Sequence, residues 1–197
     1  MINKQRLKKI GKIASMRQRG LVAVLEDIHD PHNAAAILRT AEAFGISDIA
    51  LIFEKEKYWN PRRVGSSSSA SANKWLRFSI YRSTQACLGD LRKKGFEIVA
   101  TGLTQDSKSL LQSKLTGRKV AVFFGNEHRG LSPLALRSAD HVVRIPMRGM
   151  VQSLNVSVSA AIVLWEIVRQ RSSNPRKHRL SGRDRRAFMH DMIRAAS

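Results

Sequence analysis

Short, mostly apolar segments recur along this chain, and segments with helical spacing separate them. LVAVL at 21–25 has the length of a buried strand, and AAAILRTAEAF at 34–44 is typical of a helix. Apolar strands that alternate with helices predict an α/β fold in which a parallel sheet is covered by helices on both faces. The predicted strands are 21–25, 48–53, 76–81, 96–101, 119–124 and 141–146, and the predicted helices are 34–44, 83–94, 133–138 and 153–171, the last capped by the Ser153 hydroxyl.

Positive charge is concentrated at the two ends of the chain. The sequence has 35 Lys and Arg against 15 Asp and Glu, a net charge of +20. Residues 1–20 hold seven bases and no acid, and residues 169–197 hold nine bases and two acids. Each end could be only a solvated extension, but two basic ends around a nearly balanced core favour arms that contact phosphates. We predict a basic N-terminal helical arm at 1–20, a central domain at 21–171 and a basic C-terminal helical extension at 172–197.

Composition excludes several classes of site. A single cysteine, Cys87, excludes an intramolecular disulfide and a cysteine metal cluster, and it indicates a reducing compartment. The six histidines lack metal-ligand spacing, and no phosphate-binding glycine motif follows a predicted strand, so we expect no metal and no P-loop. No apolar run has the length of a signal peptide or a membrane span. The sequence therefore predicts a cytoplasmic protein that binds nucleic acid and no membrane.

Three segments just beyond predicted strands carry the residues that could form a site. HNAAAILRTA places Asn33 and Arg39 about a turn and a half apart at the start of a helix. FGNEHRGLS, at 124–132, encloses a polar cluster between two glycines, which allow close approach of the backbone. IPMRGMVQSLNVSVS, at 145–159, is a bent loop with apolar side chains that leads into a helix. Such a loop suits the faces of a flat heterocycle, and the free N–H groups of the helix suit its edge.

The first two of these segments also have a purely structural explanation. Asn33 could cap its helix, and Arg39 could be a surface charge. The second segment could be an ordinary turn between a strand and a helix. Taken one at a time, the three segments leave the function open.

Together the three segments resemble the three signature motifs of the SpoU/TrmH-type RNA ribose 2′-O-methyltransferases of the SPOUT superfamily. The order matches over about residues 21–171: N…RTA, then FGNE..GLS, then IPM.G…SLNVSVS. HDPHNAAAILRTAEAFG and the small-residue run before Asn73 most resemble the branch that methylates guanosine 18 of tRNA. The resemblance implies a SPOUT fold with a C-terminal trefoil knot, S-adenosylmethionine as the methyl donor, and a homodimer whose active site uses both subunits. His128 and Arg129 fall where we expect the family to vary, so no role is assigned to them.

The resemblance also implies roles for individual residues. It makes Arg39 the catalytic residue. A guanidinium is a poor base because its pKa lies above about 12, so we expect Arg39 to anchor a phosphate and to stabilise the alkoxide as it forms. Asn33 would orient Arg39 or the ribose. The residues expected to organise the pocket are Glu127, Ser153 and Asn155, and those expected to contact the donor are Thr101, Gly125, Ile145, Met147 and Leu154.

Three functions remain open at this point. The first is a tRNA (guanosine(18)-2′-O)-methyltransferase, and the second is a methyltransferase for ribosomal RNA or for another site in tRNA. The motifs describe the donor pocket, so they do not separate these two. The third is a non-catalytic RNA-binding or ribosome-assembly protein, which would have no need of an intact donor pocket.

Overall fold

The computed structural model describes residues 3–64 and 72–196 of the chain. Residues 65–71, which make up most of the small-residue run, lie outside the described residues, so the tight packing suggested by their composition stays a prediction. Within the described ranges, no helix has both the length and the apolar character that crossing a membrane requires.

One parallel sheet forms, as the sequence predicts, and within the described ranges it has seven strands rather than the six predicted. The strands are β1 (Leu21–Glu26), β2 (Asp48–Ile52), β3 (Arg77–Tyr81), β4 (Glu97–Thr101), β5 (Lys108–Ser109), β6 (Val120–Phe124) and β7 (His141–Arg144). Their order in the sheet is β3-β2-β1-β6-β4-β7-β5, and each neighbouring pair is parallel. Sequence analysis did not predict β5, because two polar residues carry no strand pattern. The sheet places the carboxyl ends of β4, β6 and β7 side by side.

Helices cover both faces of this sheet, which confirms the predicted α/β architecture. They are α1 (Lys4–Met16), α2 (Pro31–Ala43), α3 (Thr84–Lys93), α4 (Pro133–Arg137), α5 (Val156–Arg171), α6 (Pro175–His178) and α7 (Gly182–Ala196). One face of the sheet packs against α2 and α5, and the other packs against α3 and α4. In β1, Leu21, Ala23 and Leu25 enter the first core, whereas Val22 and Val24 enter the second. A strand buried on both faces explains why LVAVL is apolar throughout.

Two helix starts differ from the sequence-based expectation. The fifth helix begins at Val156 rather than Ser153, and its N-cap is Asn155, whose Oδ1 accepts from the Ser157 N–H at 2.8 Å. The predicted Ser153 cap is therefore wrong, because Ser153 lies in the loop before the helix. The second helix begins at Pro31, and Asp30 caps it by accepting from the His32 N–H at 2.8 Å. This leaves the side chain of Asn33 available for another contact.

The two terminal helices pack against each other. In α1, Ile10 and Ala14 are buried against Phe188 and Met192 of α7, and this small cluster is separate from the two cores of the sheet. The helices α1 and α7 therefore share one small apolar cluster.

Two arginines counted in the basic ends are buried and point away from solvent. Arg17 and Arg171 are each 1% exposed. Arg17 donates to the Glu42 carboxylate at 2.7 Å. Arg171 donates to the carbonyl oxygens of Arg19, Gly20 and Gly117, and burial lowers its pKa to about 10. Arg17 thus connects the segment after α1 to α2, and Arg171 connects the end of α5 to the segments before β1 and β6. Neither cation is part of a phosphate-binding surface.

The buried His178 predicts a loss of stability in mild acid. Burial, with Arg171 and Lys177 nearby, lowers the pKa of His178 to about 4. The unfolded chain binds a proton at this ring below about pH 6.5, whereas the folded chain does so only near pH 4, so stability falls between these values. We expect the free energy of unfolding to be about 2 kcal/mol lower at pH 5 than at pH 7 because of this ring.

Urea unfolding at fixed protein concentration, at pH 7 and at pH 5, measures this effect. His178→Leu should lose correspondingly less stability between the two pH values than the parent chain. His190→Leu, a change at an exposed histidine, is the matched control and should behave like the parent. Equal acid sensitivity of the parent and His178→Leu would contradict the prediction.

Candidate active site

A cavity of about 440 Å³ opens at the carboxyl ends of β4, β6 and β7. Thr101 ends β4, Gly125 follows β6, and Ile145 follows β7. Residues at the ends of three neighbouring strands therefore line the cavity. The loop at 146–155 closes the remaining side. The predicted donor-contact residues Thr101, Gly125, Ile145, Met147 and Leu154 all line this cavity, together with Glu127, Ser153 and Asn155. Their individual roles stay predictions.

A chain of hydrogen bonds connects the three sequence segments beside this cavity. Asn33 Nδ2 donates to Glu127 Oε1 at 2.9 Å, and Asn33 Oδ1 accepts from Asn155 Nδ2 at 2.9 Å. Asn33 comes from the first turn of α2, Glu127 from the loop after β6, and Asn155 from the cap of α5. The side chain of Asn33 therefore bridges the other two segments, which excludes the simple capping role.

The carboxylate of Glu127 is held in its ionised form. It accepts from the backbone N–H of His29 at 2.8 Å and of Asp30 at 3.1 Å, in addition to Asn33. Desolvation, the largest single effect, raises the pKa of Glu127, but hydrogen bonds from Asn33 and from the backbone outweigh it, so the pKa is lowered. Glu127 is thus suited to orient groups that donate hydrogen bonds to it, rather than to transfer a proton near neutral pH.

The loop after β6 is too tight for a side chain at Gly125. A Cβ built there would lie 2.3 Å from the backbone of Gly130, whose own φ is +65°. Asn126 and Gly130 exchange two backbone hydrogen bonds, at 3.1 and 2.9 Å. The buried Asn126 side chain also accepts from the N–H groups of His128 and Arg129. This loop therefore presents a fixed wall to the cavity.

Arg39 lies outside the residues that line the cavity. It is exposed on α2, six residues beyond Asn33, which corresponds to about 9 Å along the helix axis. The structure thus brings Asn33, Glu127, Ser153 and Asn155 together, and it does not bring Arg39 into the same cavity wall. A role for Arg39 in the reaction remains a prediction.

Two acidic residues that support these loops were missed by sequence analysis. Asp27 has a positive φ of 51°, and its Oδ1 accepts from the N–H groups of Glu54, Lys55 and Glu56 at 2.8–3.2 Å. Glu26 is 2% exposed and accepts from Thr84 and from Ser132. The signal was present as two acids directly after an apolar strand, but their partners are distant in sequence.

Within the described part of the chain, no group of three or more His, Cys, Asp or Glu side chains is placed to hold a metal ion. The walls of the cavity combine apolar side chains, such as Val143, Ile145 and Leu154, with polar and charged ones from the loops after β6 and β7. This composition suits an organic ligand with a flat ring better than an ion.

Comparison with known proteins identifies similar chains. The family described as the SpoU rRNA Methylase family matches residues 20–165. The tRNA (guanosine(18)-2′-O)-methyltransferase of Thermus thermophilus is 37% identical over 169 residues, which cover 84% of this chain and 83% of the relative. The solved TrmH/SpoU tRNA modifying enzyme of A. aeolicus superposes with a TM-score of 0.82 at 29% identity, over 95% of this chain and 94% of that one. An AdoMet-bound rRNA methyltransferase from Sinorhizobium meliloti superposes with a TM-score of 0.70 at 26% identity, over 81% and 59% of the two chains.

Proposed function

The chain belongs to the SpoU rRNA Methylase family, and on this premise we propose that it is a tRNA (guanosine(18)-2′-O)-methyltransferase with S-adenosylmethionine as methyl donor. The observation that carries the proposal is the likeness to the tRNA enzyme of Thermus thermophilus along most of both chains. The cavity supports the choice of donor, because apolar side chains suited to the faces of an adenine ring line it together with polar side chains suited to the rest of the donor.

The chain's own residues have to orient the acceptor, help remove its proton and hold the RNA. S-adenosylmethionine supplies a methyl group on a sulfonium, already activated for in-line transfer to a ribose 2′-hydroxyl. Glu127 and Asn155 fix the amide of Asn33 from both sides, so Asn33 is suited to position the ribose or Arg39. Arg39 stabilises the alkoxide and anchors a neighbouring phosphate, which accepts the proton.

We also propose that the active unit is a homodimer whose active site draws on both subunits. The position of Arg39 outside the cavity wall supports this, because a second subunit would then complete the site. Val158, Ile162 and Trp165 recur at helical spacing on α5 and are 46%, 37% and 54% exposed. An apolar stripe of this kind is typical of an interface. The mass of the protein in solution tests the proposal.

The remaining assignments complete this proposal. The central domain spans residues 21–171, between a basic arm at 1–20 and a basic extension at 172–197. The C-terminal part of the domain forms a trefoil knot, which the insertion of β7 between the earlier strands β4 and β5 supports. The protein acts in the cytoplasm on its RNA substrate.

Labelled S-adenosylmethionine tests the proposed activity directly. The protein is incubated with the donor and with separate pools of unmodified tRNA and ribosomal RNA, and the methylated nucleotide is mapped. We expect label in tRNA at the 2′-oxygen of guanosine 18. Label in no RNA would reject the enzyme and leave a non-catalytic RNA-binding protein.

A ribosomal RNA methyltransferase is the second candidate. The family description names ribosomal RNA, and the structure from Sinorhizobium meliloti is of an rRNA methyltransferase. Label confined to ribosomal RNA in the same assay would favour this function over the first.

Neutralising the arms should reduce the salt dependence of RNA binding. Lys8, Lys12, Arg183 and Arg186 are exposed on α1 and α7. Each lost phosphate contact lowers the slope of log K against log salt by roughly 0.7–0.9, so replacing all four by glutamine should lower it by about three. A salt titration of tRNA binding measures the slope. A quadruple variant with the parent slope would mean that the arms do not contact phosphates.

Two exposed lysines away from α1 and α7 provide the control. Lys93 ends α3 and Lys114 follows β5, and their replacement by glutamine should leave the slope unchanged. Donor affinity should also be the same in both variants, because the cavity lies between residues 101 and 163.

A further inference from the structure

Two histidine rings lie together at the edge of the donor cavity. His128 lines the cavity, and His29 precedes α2 in the loop that Glu127 holds. Their ring centroids are 5.7 Å apart and their planes are inclined by 65°. Both side chains are exposed, that of His29 to 59%. Neither ring belongs to the apolar clusters of the described residues, so packing does not explain this pair.

Polar groups hold the His29 ring and the backbone of His128 in place. Glu56 is 17% exposed and lies 3.0 Å from His29 Nδ1 and 2.7 Å from an Arg129 guanidinium nitrogen. The hydrogen bond and charge of Glu56 raise the pKa of His29. The backbone N–H of His128 donates to Asn126 Oδ1 at 2.9 Å. Groups held in place before a ligand arrives lose little freedom when it binds.

We propose that the His128 ring, supported from the side by the His29 ring, forms a stacking platform for the base of the nucleotide whose ribose is methylated. This inference rests on the proposed function. Unstacked bases of RNA are commonly bound against aromatic rings and arginine planes, and here the adjacent Arg129 provides such a plane. Because His128 also lines the donor cavity, a base on this ring keeps its own ribose close to the transferred methyl group. The platform thus selects an unpaired nucleotide at the mouth of the cavity.

A pair of tRNA transcripts tests the platform separately from the chemistry. One carries guanosine at position 18, and the other carries an abasic nucleotide there. Binding is measured at one salt concentration without donor, for the parent, His128→Asn, His128→Phe and His141→Asn. Asparagine removes the ring, and phenylalanine retains an aromatic ring. His141→Asn is the control, because His141 lies at the amino end of β7, whereas the cavity lies at the carboxyl ends of the strands.

We expect His128→Asn to weaken binding of the intact transcript about tenfold. Binding of the abasic transcript should not change, because that transcript has no base at position 18 to stack on the ring. His128→Phe and His141→Asn should stay within threefold of the parent. His29→Asn should behave like His128→Asn. S-adenosylmethionine affinity, measured by calorimetry, should not change in His29→Asn or His141→Asn, because neither residue lines the cavity.

Three results would overturn the platform. They are an equal loss of affinity for both transcripts in His128→Asn, no loss for either, or an equal loss in His128→Phe and His128→Asn. The parent is also assayed for methylation of the intact transcript. Failure of that assay rejects the proposed function, whereas the binding comparison decides on the platform alone.

Discussion

Replacing Arg39 by alanine should abolish methyl transfer to tRNA while leaving the affinity for S-adenosylmethionine nearly unchanged. Arg39 is outside the cavity wall, so the donor should not require it. Removal of one group that stabilises a developing oxyanion costs about 10²–10³-fold in rate, and loss of the phosphate anchor adds to this. We therefore expect a loss of at least about 10³-fold in single-turnover rate at saturating donor.

Calorimetry with the donor separates this role from a defect in the cavity. Arg39→Lys keeps the charge but loses the planar fork, so it should recover only part of the rate. Arg118→Ala, at an exposed arginine before β6, is the matched control and should be fully active. If Arg39→Ala lost donor affinity together with activity, Arg39 would belong to the donor pocket and the proposed role would be wrong.

Replacing Leu154 by aspartate should weaken donor binding by a few kcal/mol, about 100-fold in Kd. Leu154 is half-buried in the loop that lines the cavity. A carboxylate there would have to be desolvated beside an adenine ring. The two arginines of the cavity wall, Arg129 and Arg144, already contact Glu56 and Ser107. Calorimetric titration with S-adenosylmethionine measures the loss.

Leu111→Asp provides the comparison for this second prediction. Leu111 is 71% exposed and lies outside the cavity, so the same chemical change should leave the donor Kd within twofold of the parent. Circular dichroism confirms that both variants are folded. Parent-like affinity in a folded Leu154→Asp variant would place the donor elsewhere in the protein.

The sheet was predictable from the sequence because its strands are buried on both faces. A strand such as β1 is a continuous run of mostly apolar residues with no polar alternation. Such a run can be recognised without knowing which strands lie beside it. Two-residue β5 gives no such signal. The order of the strands was not predictable either, since it depends on contacts between segments that are far apart in the chain.

The cavity residues were predictable from motifs, but the contacts that fix them were not. Asn33 contacts Glu127 and Asn155, which are about 90 and 120 residues further along the chain. Glu56 belongs to no motif, yet it holds both His29 and Arg129. The count of basic residues at the chain ends was misleading in a similar way, because it included Arg171, which is buried and therefore adds nothing to the surface charge.

The pairing of β1 with β6 has a consequence for biosynthesis. Leu21 pairs with Val120, so one edge of β1 has no partner until about a hundred further residues have left the ribosome. At translation rates of roughly 5–20 residues per second, this takes on the order of 5–20 s. During that interval β1, β2 and β3 present an open, apolar edge to the cell. The nascent chain is therefore most exposed to aggregation before β6 is made, and chaperone demand should fall once β6 has been inserted.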